Sequence, residues 1–123
     1  MTVKLAAIRK KLQDMPGSHE CTPFGPEVLV YKVGNKMFAL LGWQNLPPTV
    51  NLKCDPERAI ELRERFEAIA PGYHMNKQLW NTLTLDRSLD RELVWELVQH
   101  SYDLIVASLT KKARAALEAE LGG

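Results

Sequence analysis

Apolar positions along this chain recur at steps of three and four, then of two, then of three and four again, and each change of period marks an element. Leu5, Ile8, Leu12 and Met15 share one helix face, so the first fifteen residues are predicted as a helix that Pro16-Gly17 stops. Residues 18–26, with turn formers around Phe24, are predicted as a structured loop or a short edge strand. Residues 28–33 and 37–41 are rich in β-branched, aromatic and apolar side chains. They flank Gly34-Asn35, a pair that supplies the positive φ angles of a two-residue hairpin. That turn would set Lys32 opposite Met37 and Tyr31 opposite Phe38. Two successive prolines, Pro47 and Pro48, end the ladder. Val50, Leu52 and Cys54 then alternate with Asn51 and Lys53 as a third strand with one buried face.

Asp55-Pro56 opens a second helix, the carboxylate capping the first turn and the proline sitting where its missing N–H costs nothing. Its predicted inner stripe is Ala59, Leu62, Phe66 and Ile69, and its alternating glutamates and arginines read as a solvated face. Residues 71–78 are polar and irregular. A strand over 79–85 points Asn81, Leu83 and Leu85 one way and Trp80, Thr82 and Thr84 the other. Ser88 or Asp90 caps a long helix with the stripe Val94, Leu97, Val98, Ser101 and Ile105, and Thr110 caps an Ala-rich helix over 111–121. The order α-β-β-β-α-β-β-α plus a C-terminal helix predicts an α+β fold, a two-layer α/β sandwich with an antiparallel sheet. Residues 1–112 are expected to form the domain and residues 113–123 a helical tail.

Composition narrows the field without naming a function. The 123 residues are 46% apolar and 25% charged, an ordinary globular balance at the size of one domain. A formal net charge of +1 excludes a globally basic nucleic-acid binder and leaves a local basic face open. No apolar run approaches the ~18 residues of a membrane span, and the start Met1-Thr2-Val3-Lys4 lacks the apolar core of a signal peptide. Two cysteines, Cys21 and Cys54, are too few for a disulfide scaffold, so free thiols and a cytoplasmic location are expected.

Charge is unevenly placed. Residues 1–53 hold seven Lys/Arg and three Asp/Glu, whereas residues 54–103 hold six and ten. The basic part includes Lys32, Lys36 and Lys53 of the predicted meander. If one sheet face meets water, these lysines could make a surface that lies along a phosphate backbone. Equally, they could guard the sheet against edge-to-edge pairing.

Motifs for chemistry are sparse. There is no Gly-x-Gly-x-x-Gly, no Walker loop and no Gly-x-Ser-x-Gly elbow. His19-x-Cys21 with Cys54 and His74 could chelate, but no Cys-x-x-Cys or His-x3-His pair supports it, and no metal is expected. His74 beside Tyr73 and Lys77 has the titration range of a general acid or base, yet nothing supplies a nucleophile or an orienting carboxylate, so no catalytic residue is assigned. The same loop suits recognition: Tyr73 and Trp80 offer flat surfaces, Asn76 and Asn81 offer donors and acceptors, and Lys77 a charge. The structural alternative has Trp80 filling the core and the asparagines satisfying loop backbone.

Pro23-Phe24-Gly25-Pro26, residues 30–40, Asn51-Leu52-Lys53-Cys54-Asp55-Pro56, the run from Pro71 to Lys77, Trp80-Asn81-Thr82 and His100-Ser101-Tyr102 together resemble the MmcQ/YjbR family, over roughly residues 3–112. The resemblance implies an α/β sandwich similar to secretion-chaperone and CyaY-like folds. It also implies DNA binding, from a sheet and hairpins likened to a double wing. No enzymatic activity or cofactor is implied. The expected nucleic-acid contacts are Lys32, Lys36, Lys53, His74, Asn76 and Lys77, with a chaperone-like protein-interaction module as the alternative.

Overall fold

The structure, a computed structural model, describes residues 3–72 and 75–122. In chain order the elements are α1 (Leu5–Gln13), β1 (His19–Cys21), β2 (Leu29–Val33), β3 (Lys36–Gly42), β4 (Thr49–Lys53), α2 (Pro56–Arg65), β5 (Ile69–Pro71), β6 (Trp80–Thr84), α3 (Arg91–Ala107) and α4 (Lys111–Gly122). The strands form one antiparallel sheet in the order β1-β2-β3-β4-β6-β5. The fold is therefore the α+β sandwich that the pattern predicts, with the possible edge strand realised as β1.

All four helices contribute to the core on one side of the sheet. Ile8 and Leu12 of α1, Ala59 and Leu62 of α2, the α3 stripe and Leu117 of α4 pack against Tyr31, Val33, Phe38, Leu41, Val50, Leu52 and Leu83. A smaller cluster of Val30, Leu40 and Trp80 lies on the opposite face, partly roofed by Met75 and Leu79 from the loop before β6. Buried Trp80 thus serves as packing, the structural alternative for that residue.

Local chemistry accounts for most element boundaries. Gly34 and Asn35 have φ of 56° and 72°, the left-handed pair a two-residue hairpin needs. The Asp55 carboxylate accepts the Arg58 backbone N–H, and Thr110 Oγ1 accepts that of Ala113. Three expectations are corrected. Tyr31 pairs with Ala39, not Phe38, because a bulge lies between the Lys32↔Met37 and Tyr31↔Ala39 pairs, turning both Phe38 and Ala39 toward the helices. The second helix ends at Arg65, where Phe66 turns extended, and Ile69 belongs to β5 beside β6. The first helix spans nine residues rather than fifteen, although Met15 beyond it is buried.

The edge strand β1 is tied to α1 through Glu20. Its carboxylate accepts Arg9 Nε at 3.1 Å and Nη2 at 2.8 Å, Gln13 Nε2 at 3.1 Å and the Tyr31 hydroxyl at 2.5 Å. These donors, Arg9 foremost, hold the Glu20 carboxyl down at about 2. A carboxyl lower in the folded than in the unfolded chain stabilises the fold above the ordinary range near 4.5, and that contribution disappears as pH falls toward 2. A bare conversion gives about 3 kcal/mol, which the half-exposed Arg9 partner and solvent screening reduce to about 1–2 kcal/mol. Urea titrations of the wild type and Glu20→Gln between neutral pH and pH ~3 should therefore converge on acidification. A constant gap would mean that the ionised Glu20 carboxylate adds nothing beyond what its pH-independent contacts supply.

Candidate nucleic-acid interface

Strand register decides which lysines share a surface. Lys32 of β2 lies between His19 and Met37 on the face opposite the helices, and Lys53 of β4 pairs with Trp80 on the same face. Ser101 Oγ of α3 accepts the Lys53 backbone N–H at 2.9 Å and donates to the Phe38 carbonyl at 2.6 Å, which anchors the strand end that carries Lys53. Both lysines are half-buried at their stems, and neither ammonium has a carboxylate within 4.0 Å among the described residues.

Lys36 goes elsewhere. It pairs with Val33, a core residue, so its side chain lies on the helix side. There Nζ donates to the Ser108 carbonyl at 3.0 Å and to Ser108 Oγ at 3.2 Å, placing a cation at the C-terminal end of α3. The signal for this was in the sequence: direct cross-strand partners share a face, and Val33 flanks the same turn.

Asn76 and Lys77 are exposed on the loop that borders the open face, and Asn76 Oδ1 accepts the Gln78 N–H at 2.9 Å, closing the turn. His74, with Tyr73, lies outside the described residues. Asn81 faces the helices, where Nδ2 donates to the Ala59 carbonyl at 3.3 Å. His100 Nε2 accepts the Asp55 N–H at 3.1 Å. Of the metal-test residues, Cys54 is buried in the helix-side core, while Cys21 packs on the opposite face and His19 Nε2 lies 3.3 Å from Glu120. Burial pushes the Cys54 thiol up.

The six strands contain one acidic residue, Glu20, and it points to the helices. Open-face strand positions therefore carry Lys32 and Lys53 and no carboxylate. Glu57, Glu61 and Glu64 lie on α2, and Glu92, Glu96 and Asp103 on α3, behind the sheet. The glutamates of α2 and the acids of α3 thus lie on the side opposite Lys32 and Lys53, a side they share with Lys36 and the cations of α1.

Two depressions border this arrangement. One of about 750 Å³ lies between α1 and the sheet end, with Leu5, Leu29 and Trp43 among its walls. Its cations are already paired, Arg9 with Glu20 and Lys10 with Asp14. The other, of about 350 Å³, opens on the lysine face and is lined by Asn45, Thr49, Asn51 and Thr82 above Gly42. Sequence reasoning passed over these neutral polar side chains. Their signal was the even-step alternation that puts Asn51 on the same face as Lys53.

Comparison with known proteins agrees with this architecture. A family model described as YjbR matches residues 13–104. The chain is similar to protein YbdF of Escherichia coli O157:H7, at 35% identity over 99 residues, covering 80% of this chain and 81% of that one. It is 32% identical to YjbR of Escherichia coli K12 over 102 residues, covering 83% and 86%. The crystal structure of Deinococcus radiodurans DR2400 matches with a TM-score of 0.86 at 41% identity, covering 93% of this chain and 87% of that one. A Pseudomonas syringae protein at 24% identity shares the fold, with a TM-score of 0.73 over 83% of this chain and 98% of that one.

Proposed function

We propose that this protein, which belongs to the YjbR family, is a DNA-binding protein rather than an enzyme and that it grips the phosphate backbone with the open face of its sheet. The observation that carries the reading is that Lys32 and Lys53 share a sheet face whose strand positions hold no carboxylate, with Lys77 exposed on the bordering loop. Each phosphate neutralised by a lysine releases condensed counterions, so a modest cationic face suffices for weak, salt-sensitive binding.

With two or three phosphate contacts, affinity for a duplex should fall about 10–40-fold between 50 and 200 mM salt. The double variant Lys32→Glu/Lys53→Glu should bind at least about tenfold more weakly at low salt and flatten the salt slope by about two. Lys36→Ala should leave the slope unchanged, because that ammonium is engaged at α3. Fluorescence anisotropy of a labelled duplex reads all three. Absence of binding at low salt, or wild-type binding by the double variant, defeats the proposal.

A second reading has a different support. Phe24 and Leu46 are 62% and 96% exposed on loops at the sheet end away from Lys53, and Trp43 beside them donates to the Pro26 carbonyl at 2.8 Å. Apolar loop tips of that kind suit a protein partner, the chaperone-like alternative.

A further inference from the structure

We infer that the polar groove of Asn45, Thr49, Asn51 and Thr82 is a recognition site for a nucleobase, an unpaired base set beside the lysines of the same face. The choice of ligand rests on the DNA-binding reading above; the groove itself stands on its own geometry.

The hydrogen bonds inside the groove determine what it leaves on offer. Thr82 Oγ1 donates to Asn51 Oδ1, so both hydrogens of Asn51 Nδ2 have no acceptor among the described residues. Asn45 Nδ2 donates to Thr49 Oγ1 at 2.9 Å, which leaves Asn45 Oδ1 as an acceptor and the Thr49 hydroxyl as a donor. Each amide is thus held in orientation by a threonine while its other end faces the groove. Neutral donors next to a neutral acceptor are what a base edge demands, whereas phosphates are met by cations. No charged side chain lines the groove, and Val28, Ala70 and Pro71 supply apolar wall for a flat ring. Its volume of about 350 Å³ lies at the small end of ligand pockets and admits one ring.

Gly42 gives an independent indication that the space is built. Its φ is not in the left-handed region, so backbone conformation does not require glycine there. Space is what a side chain there would disturb: a β-carbon at 42 would overlap the Asn45 amide nitrogen and lie 2.7 Å from Thr49 Oγ1, both of them side-chain ends that would have to shift. Any side chain at this position would push the Asn45–Thr49 pair out of place.

Placement supplies the connection to the backbone contacts. Asn51 precedes Lys53 by two residues on β4, and Thr82 follows Trp80 by two on β6, so the groove lies one same-face step, about 7 Å, from the Lys53–Trp80 pair. A nucleotide whose phosphate meets Lys53 could place its base in the groove. A base still paired in a duplex has its Watson–Crick edge engaged by its partner, so single-stranded or bulged DNA should be preferred over a perfect duplex of equal charge.

The test uses the four free deoxynucleosides, which lack phosphate, titrated to millimolar concentration into the ¹⁵N-labelled full chain. Saturable shifts are expected at the Asn45 and Asn51 side-chain NH₂ signals and at the Thr49 and Thr82 amides. Asn51→Ala and Gly42→Ala should weaken the response at least tenfold, and Lys32→Glu/Lys53→Glu should retain it. Gly42→Ala displaces flexible side-chain ends, and an unchanged spectrum elsewhere verifies that it folds. No saturable shift with any nucleoside, or shifts that persist in both groove variants, overturns the inference even if DNA binds through the lysines. Nucleoside binding without DNA binding keeps the groove and removes the backbone reading.

Discussion

Phe38→Ala is expected to lower the unfolding free energy by about 3–5 kcal/mol and the melting temperature by roughly 10–25 °C. Against the ~5–15 kcal/mol that holds most domains together, this is a severe loss. Phe38 is fully buried, and its ring meets that of Tyr102 edge-on at 5.4 Å and that of Tyr31 at 6.5 Å. Large-to-small changes cost most where neighbours cannot move in, and both neighbours are tethered at their far ends. The Tyr31 hydroxyl donates to Glu20, and the Tyr102 hydroxyl to the Pro16 carbonyl. Urea unfolding of Phe38→Ala and Phe38→Leu gives the comparison, with the leucine variant expected to cost less than about 2 kcal/mol. A loss below about 2 kcal/mol for the alanine variant would show that the tyrosines relax into the space despite their tethers.

Phe38 also marks where the sequence stops being sufficient. The hairpin before it was legible because Gly34-Asn35 states a backbone requirement in its own residue types, and the φ angles of 56° and 72° satisfy it. The helix start at Asp55-Pro56 was legible for the same reason. The bulge was not. An alternating strand predicts Phe38 and Ala39 on opposite faces, and their common burial comes from how the sheet fits beneath α3, where Ser101 bonds the Phe38 carbonyl. Likewise, three residues of β5 carry no period; their extended form is settled by pairing with β6.

The candidate surface divides in the same way. The expectation that Lys32 and Lys53 share a water-facing side of the sheet agrees with the strand register. Lys36 was grouped with them by nearness to the turn, although its partner Val33 already tied it to the helix side. The polar groove escaped because its members come from β4, β6 and the loop after β3, brought together by long-range pairing and by the missing side chain at Gly42. Charge reads out locally in a sequence. A neutral polar groove has no charge to announce it and is visible once strands are aligned.

Ser101→Ala joins the stability of the fold to the geometry of the lysine face. Ser101 is fully buried in the apolar stripe of α3, where a lone hydroxyl would be costly without partners. It has two: it accepts the Lys53 N–H from β4 and donates to the Phe38 carbonyl of β3, pinning one helix to two strands at the bulge. Alanine fits the space but leaves the Lys53 N–H without its acceptor and the Phe38 carbonyl without this donor. The cost should be about 2–4 kcal/mol, well above that of a lost methylene-sized group. Because the pin is at the end of β4, the damage should be local before it is global. Hydrogen exchange at the Lys53 amide should accelerate more than at Leu52 or Asn51, and under the proposed DNA-binding function the affinity for DNA should drop in a variant that remains folded. A cost under about 1 kcal/mol with the Lys53 amide still protected would mean that another group takes over the bond. In that case Lys53 would not depend on α3 for its place on the open face.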